Sequence, residues 1–297
     1  MRKALIPAAG LGTRMFPATK AVKKELLPMI TPDGVCKPIL QSIVEEALSA
    51  GCDDIAIIVR PADRDLIASY FSPCSDAQLA RLKDDGKAQA AHLADISRHI
   101  SYVEQREQQG FGHAVHCARD WADGQPVLLL LGDHLYSSNE ARSCARQLLD
   151  AFDSLEPRAT LSLYQAPGST VHHYGTAGGS WANPQHTLLD IAEFAEKPSL
   201  DYARQHLAVP GLPHDTFLCV YGQYVLTPDV FRILGEQIAA NRRLKGEFQL
   251  TTALDELRQT QGLRGFMVNG EHFDTGQPRE YLSSILAFAN KHLPTTP

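Results

Sequence analysis

Residues 4–14 read ALIPAAGLGTR. The apolar run Ala4–Ala9 closes on Gly10 and Gly12, and a cation follows at Arg14. A run of this kind ahead of a glycine turn is the pattern of a buried strand that delivers its C-terminal end into a loop. Glycine has no Cβ, so backbone N–H groups in that loop can approach phosphate oxygens closely. Two common phosphate loops can be tested against it. The dinucleotide fingerprint needs a third glycine where Met15 stands, and an acidic strand end about twenty residues further on. A P-loop needs Gly-Lys-Ser/Thr, whereas Gly12 is followed by Thr13. Both patterns fit poorly. Read alone, the segment is a glycine turn beside a lysine-rich surface. Read with Arg14 and Lys24 together, it suits a triphosphate.

Outward from this loop, strands and helices alternate. Strand patterns cover Asp54–Val59, Ile100–Glu104, Val127–Leu131, Thr160–Gln165, Leu188–Ala195, Phe217–Leu226 and Leu263–Val268. Helical spacing covers Ile39–Ser49, Asp63–Phe71, Gly112–Trp121, Ala141–Leu155, Pro228–Ala240, Leu250–Gln261 and Arg279–Lys291. Such alternation predicts an α/β fold with a mixed, mostly parallel central sheet flanked by helices. Residues 73–98 change character, with apolar residues at helical intervals over Asp76–Leu93, and read as a helical excursion outside the sheet. No repeat or linker divides the chain, so residues 1–297 are expected to form a single domain.

The net charge of −6 argues against nucleic acid or an acidic membrane as partner, so anions have to be held by local cations and backbone N–H groups. None of the six cysteines stands in C-x-x-C spacing, which disfavours a zinc knuckle or a redox dithiol. Scattered thiols, and an N-terminus that reads neither as a signal peptide nor as a membrane span, point to the cytoplasm. His113 and His116 share a helix face but lack companions for a zinc site, and His113 reads as structural.

Gly10-x-Gly12-Thr13-Arg14, Pro17 and Lys24-Glu25-Leu26-Leu27-Pro28 together resemble the signature of the sugar-phosphate nucleotidyltransferases. Pro17-Ala18-Thr19-Lys20-Ala21 and the excursion at 73–98 are similar to the bacterial branch that joins UTP to glucose 1-phosphate. Matching blocks run to Gly276. The resemblance implies a Rossmann-like nucleotidyltransferase fold, with a nucleotide-binding part over roughly 1–135 and a sugar-binding part over roughly 136–290. It implies catalytic roles for Arg14, Lys24, Asp133 and Lys197. It implies nucleotide contacts at Ala9, Gly10, Gly12, Thr13, Glu25, Gln105 and Gly110, with Gln105 and the Gly110 backbone reading uracil. Tyr174-Gly175, Glu196-Lys197-Pro198 and Gly222 match the sugar pocket, with Gly175, Glu196, Lys197 and Gly222 in contact. The run from Gly246 to Thr251 also matches a family block and reads as mainly structural.

Asp133, at the end of the most apolar strand, and Asp274, in Phe273-Asp274-Thr275-Gly276, match the positions that hold Mg2+ in the family. Magnesium prefers oxygen ligands and binds through one or two carboxylates plus phosphates. A helix cap is the lesser alternative for Asp133, whereas Asp274 taken alone reads as a turn residue. The implied partners are UTP and glucose 1-phosphate, and the implied assembly is a homo-oligomer, a dimer or tetramer.

Three departures from the family pattern stand out. Lys23 replaces the usual proline and could share the role of Lys24. Thr31–Val35 reads as an insertion that could reshape the mouth of the site. Gly132 precedes Asp133 where the uridylyl branch has proline, which resembles the thymidylyl branch. A dTTP-using thymidylyltransferase and a non-catalytic sugar-nucleotide-binding regulator therefore stand beside the uridylyl reading. Met15 and the cation cluster disfavour a dinucleotide-dependent oxidoreductase.

Overall fold

The apolar run ahead of the glycine loop is a strand, β1 (Lys3–Pro7), in a computed structural model that describes residues 2–291 except 155 and 157. A ribbon of β2 (Pro28–Ile30) and β3 (Cys36–Pro38) leads into α1 (Ile39–Ser49), β4 (Asp54–Val59) and α2 (Pro61–Phe71). The excursion holds α3 (Asp76–Leu79) and α4 (Asp84–Ser97) and returns through β5 (Ile100–Glu104). Then follow α5 (Phe111–Cys117), α6 (Arg119–Ala122), β6 (Val127–Leu130), β7 (His134–Ser138) and α7 (Cys144–Asp153). The second half contains β8 (Thr160–Pro167), β9 (Gly175–Trp181), β10 (Leu188–Glu196), α8 (Leu200–His206) and β11 (Thr216–Leu226). It ends with α9 (Pro228–Ala239), α10 (Leu250–Gln261), β12 (Arg264–Met267), β13 (Gly270–Asp274) and α11 (Pro278–Asn290).

Nine strands form one mixed sheet in the order β5-β4-β1-β6-β11-β8-β12-β10-β9. The α/β fold and its mixed sheet are as expected. The parallel share is concentrated in the first four strands, where α1, α2 and α5 supply crossovers. Beyond β6 the pairing turns mainly antiparallel, with β8–β12 as the parallel exception. β9 also pairs back onto β11 at Leu218 and Cys219, so the strands of this half curl around on themselves.

Side chains of β1 alternate between two cores: Ala4 and Ile6 pack on one face with Ile43, Ile55 and Leu148, while Leu5 packs on the other with Val115, Leu161 and Leu234. Burying each such leucine or isoleucine is worth about 1.5–3 kcal/mol. That makes the strand ends in front of the glycine loop a rigid platform.

The excursion is broken into two helices rather than one. Ser75 and Gln78 form a reciprocal capping box that starts α3, and Asp84 and Asp85 occupy the first turn of α4. The expected Ala141–Leu155 helix starts later, where the Ser143 side chain accepts from Arg146 N, and Leu155 itself lies outside the described residues. β9, with the glycine-rich sequence GTAGGSW, has little local strand propensity and owes its place to β10. Among the described residues, no helix is long and apolar enough to cross a membrane.

Candidate active site

Parallel pairing of β1 with β6 (Lys3 opposite Val127, Leu5 opposite Leu129) makes both strands end at the same edge of the sheet. The glycine loop and the Leu131-Gly132-Asp133 segment therefore leave side by side, at the usual ligand crevice of an α/β sheet. Gly132 is tied to that arrangement, because a Cβ there would come within 2.3 Å of the Pro7 carbonyl oxygen. The backbone at this position has no room for a side chain, and this accounts physically for glycine at 132.

A second ribbon brings the other carboxylate in. β7 and β13 pair antiparallel with His134 opposite Asp274, and Thr275 donates to the Asp133 carbonyl from both its backbone N (2.9 Å) and its Oγ1 (2.7 Å). Ligand atoms of Asp133, His134 and Asp274 consequently lie within 4.8 Å of one another. Gly276 completes the turn, and a Cβ at this position would fall 2.8 Å from Asp133 Oδ2, 3.1 Å from Asp274 Oδ1 and 3.2 Å from Arg14 Nη2. Arg14 thus reaches the same spot as the two carboxylates.

Lys24 Nζ lies 2.7 Å from Asp133 Oδ2 and 3.8 Å from Glu25 Oε1. Burial pulls the Lys24 ammonium toward its neutral form, but Asp133 and Glu25 outweigh it and hold its pKa above the usual value. Burial would likewise raise the Asp133 carboxyl, yet Lys24 and His134 hold it well below the ordinary carboxylate range. His134, whose Nδ1 is 3.2 Å from Asp133 Oδ1, is drawn the other way: burial opposes its charge, and Asp133 overrules it upward. Its stacking partner His272 is pushed down to about 3 by burial and by His134. Glu25 is only 1% exposed, and burial pushes it up to about 7 against the pull of Lys24 and Lys23. Its Oε2 has no hydrogen-bond partner among the described residues.

Two joined hollows form the cleft. One, of about 430 Å³, is lined by Ala9, Gly10, Thr13, Lys24, Glu25, Gln105, Gly110 and Asp133. The other, of about 400 Å³, is lined by Arg14, Tyr174, Gly175, Glu196, Lys197, Asp133 and Asp274. Phe111, Leu131, Asp133 and Glu247 line both, so the carboxylate end is the junction. The sugar-side wall comes from β9 and β10, where Gly175 faces Glu196, whose Oε2 accepts from Thr251 Oγ1 at 2.7 Å. Lys197 is exposed, with Nζ 3.6 Å from Glu196 Oε1. A larger hollow of about 800 Å³ between α6 and α9 contains none of these residues.

Two of the expected contact residues have backbone roles of their own. Gly12 shapes the loop at φ 66° and accepts from Thr19 Oγ1. Gly222 sits at an irregularity of β11 with φ 105°, and its carbonyl accepts from Leu131 N and Tyr136 Oη. On the same strand, Val220 and Tyr224 line the sugar-side hollow.

Lys23 does not share the place of Lys24. It is buried, donates to the Gly10 carbonyl at 2.6 Å, and lies 3.1 Å from Asp63 Oδ2, so it braces the glycine loop from the rear. Residues 31–35 close a tight turn, with Thr31 N donating to Val35 O. Thr31, Pro32 and Asp33 line a separate hollow behind His134 rather than the mouth of the cleft. His116 bonds to the Phe231 carbonyl and joins no metal-binding group among the described residues.

Some site residues were missed by the sequence reading. His134 carried a signal, being next to Asp133 at the start of an extended run. Glu247, Gln249 and Thr251 line the cleft although their block reads as structural. Only the tertiary approach of α10 to β10 brings them there.

Known proteins match this architecture closely. Residues 3–291 match the family model "Nucleotidyl transferase". The UTP–glucose-1-phosphate uridylyltransferase of Bacillus subtilis (strain 168) is 34% identical over 97% of this chain and 91% of its own length. A crystal structure of UDP-glucose pyrophosphorylase complexed with UDP-glucose superposes with a TM-score of 0.80 at 28% identity, over 98% of this chain and 99% of the other. A UTP-bound UGPase from Acinetobacter baumannii gives a TM-score of 0.75 at 26% identity, over 97% of this chain and 93% of the other.

Proposed function

The chain belongs to the nucleotidyl transferase family, and from that premise we propose that it transfers a uridylyl group from UTP to glucose 1-phosphate, giving UDP-glucose and pyrophosphate. The observation that carries this reading is the meeting of Arg14, Lys24, Asp133 and Asp274 at the junction of two hollows, with Lys197 on the sugar side. A regulator that only binds a sugar nucleotide has no need of that complete set.

In the reaction, an oxygen of glucose 1-phosphate attacks the α-phosphorus of UTP in line as the bond to the pyrophosphate oxygen breaks. Both reactants are anionic, so repulsion and alignment dominate the barrier. Lys24 sits where the α-phosphate and the sugar phosphate meet. Arg14 holds the departing pyrophosphate, and Lys197 the attacking phosphate. Ala9, Gly10 and Thr13 bring backbone N–H groups to the phosphates. Gln105 and Gly110 hold the base. Gly175 and Glu196 face the glucose hydroxyls.

The two carboxylates of Asp133 and Asp274 form a compact set of hard oxygen donors that suits Mg2+. Bound there, the ion supplies charge neutralisation at the phosphate oxygens. His134 stays outside that oxygen set and holds Asp133 Oδ1 in place.

One domain serves both substrates, with residues 1–135 giving most of the nucleotide side and 136–290 most of the sugar side. Assembly into a homo-oligomer belongs to the same reading, supported by exposed Leu282 and Leu286 one turn apart on α11. Light scattering tests it. Six unpaired cysteines support a reducing, cytoplasmic setting.

The deciding assay mixes UTP, glucose 1-phosphate and magnesium and follows pyrophosphate. Release is expected. UTP binding without release would leave only the regulator, and a preference for dTTP in competition would move the protein to the thymidylyl branch.

A further inference from the structure

Gln105 directly follows β5 and is 4% exposed, on the wall of the nucleotide hollow. Its Nε2 is committed twice: 3.2 Å from the Gly110 carbonyl oxygen and 3.1 Å from His113 Nδ1. A carbonyl oxygen only accepts, so the amide edge facing Gly110 is the NH2 group. Two N–H donors then meet two acceptors, provided that His113 Nδ1 carries a lone pair. The surroundings of the ring meet that condition. Burial disfavours the charged imidazole, and a neutral ring that accepts from the amide at Nδ1 carries its proton on Nε2. In this orientation Gln105 Oε1 takes no part in the hydrogen bonds that hold the amide, on a residue that lines the hollow.

We infer that His113, acting together with the Gly110 carbonyl, sets the choice of base. By accepting from Gln105 Nε2 it turns the carboxamide oxygen toward the ligand, so the site takes a base that offers an imide N–H and rejects one that offers a lone pair at that position. The inference rests on reading this hollow as the UTP site. Uracil has N3–H, whereas cytosine has a lone pair at N3 and would set two acceptors face to face. A site built to satisfy one hydrogen-bond pattern discriminates strongly against the opposite one, because the buried group is left unpaired. His113 touches neither base nor phosphate in this scheme and is a positioning residue.

Removing it leaves only the longer contact to Gly110, at 3.2 Å, to hold the amide. The carboxamide, held by one anchor instead of two, then turns more readily and offers Nε2 to the N3 of cytosine. Asparagine at 113 places an acceptor oxygen near the former Nδ1 and should restore the orientation.

The test uses the full chain as wild type, His113→Ala and His113→Asn. Calorimetric titration with UTP and with CTP gives binding preference, and initial rates at saturating glucose 1-phosphate and magnesium give turnover. His113→Ala should reduce the UTP-to-CTP preference about tenfold, through a weaker UTP Kd and a higher KM, with kcat at saturating UTP nearly unchanged. His113→Asn should recover most of the preference. An unchanged ratio in His113→Ala, or equal losses for both nucleotides in both variants, overturns the inference and leaves the residue a packing role. Wild type that prefers UTP in titration but releases no pyrophosphate refutes the catalytic reading alone and leaves the inference standing. Wild type with no preference for UTP over CTP overturns the inference itself.

Discussion

Lys24→Met separates what the Lys24–Asp133 pair does for folding from what it does for chemistry. The ammonium sits 2.7 Å from Asp133 Oδ2 and 3.8 Å from Glu25 Oε1, and the side chains of Lys24 and Asp133 are only 15% and 17% exposed. At an effective dielectric near 20, a pair about 4 Å apart attracts by about 4 kcal/mol. Desolvation offsets much of that, so the pair itself adds little net stability. Stranding one partner is a different matter and costs about 3–5 kcal/mol when the site is buried. Partial exposure argues for the low end, about 3 kcal/mol. Urea melts in chelator at pH 8 should show that loss for Lys24→Met. Adding Asp133→Asn should restore most of the stability, since the stranded carboxylate is gone. Turnover should behave oppositely: each single variant falls ~10²–10³, UTP binding persists, and the double variant does not recover. A double variant with restored activity, or a Lys24→Met enzyme with near-normal turnover, would refute the assignment of Lys24 to the reacting phosphates.

Three further outcomes follow from the same geometry. Glu25 binds its proton more tightly folded than unfolded, rising from 4.5 to about 7; its contribution is intact below the lower value and lost as pH climbs through the upper one. Melts of wild type and Glu25→Gln should therefore diverge by about 2–3 kcal/mol between pH 5 and pH 8, with the variant favoured at high pH, and parallel curves would contradict that burial. Gly276→Ala pushes a methyl group to within 2.8 Å of Asp133 Oδ2; turnover should fall ~10² and need more magnesium, while the urea midpoint moves little. Asp63→Asn takes an anion from Lys23 and slackens the glycine loop, so KM for UTP should rise about fivefold with kcat kept; a change in kcat alone would point to a role for Lys23 in the chemistry.

Local patterns were enough to read the alternating α/β chain, the strand feeding the glycine loop and the carboxylate at the end of β6. These are contiguous features, and a buried parallel strand announces itself through an unbroken apolar run such as Val127–Leu130. Asp274, Glu196 and Lys197 were legible only as family blocks, since each alone is a turn or a strand end. What the residues of the second half do to one another was not legible. Strand direction beyond β6 depends on long-range pairing, and β9 has almost no propensity of its own.

The roles of four residues were likewise decided by the tertiary structure. Lys23 and Lys24 are adjacent and chemically identical in sequence; a short 3₁₀ turn at Lys24–Leu26 sends one behind the glycine loop to Asp63 and the other forward to Asp133. Gly222 was expected only as a sugar-pocket contact, and the irregularity in β11 gives it a backbone conformation that no local pattern announced. His134 becomes a neighbour of Asp274 only because β7 and β13 pair in one particular register. The linear chain by itself determined which chemical groups were available and which strand would carry the phosphate loop, because those follow from local composition and periodicity. Which of those groups meet at the junction of the two hollows was left to strand register and chain reversal, which bring together residues with no local sign of each other.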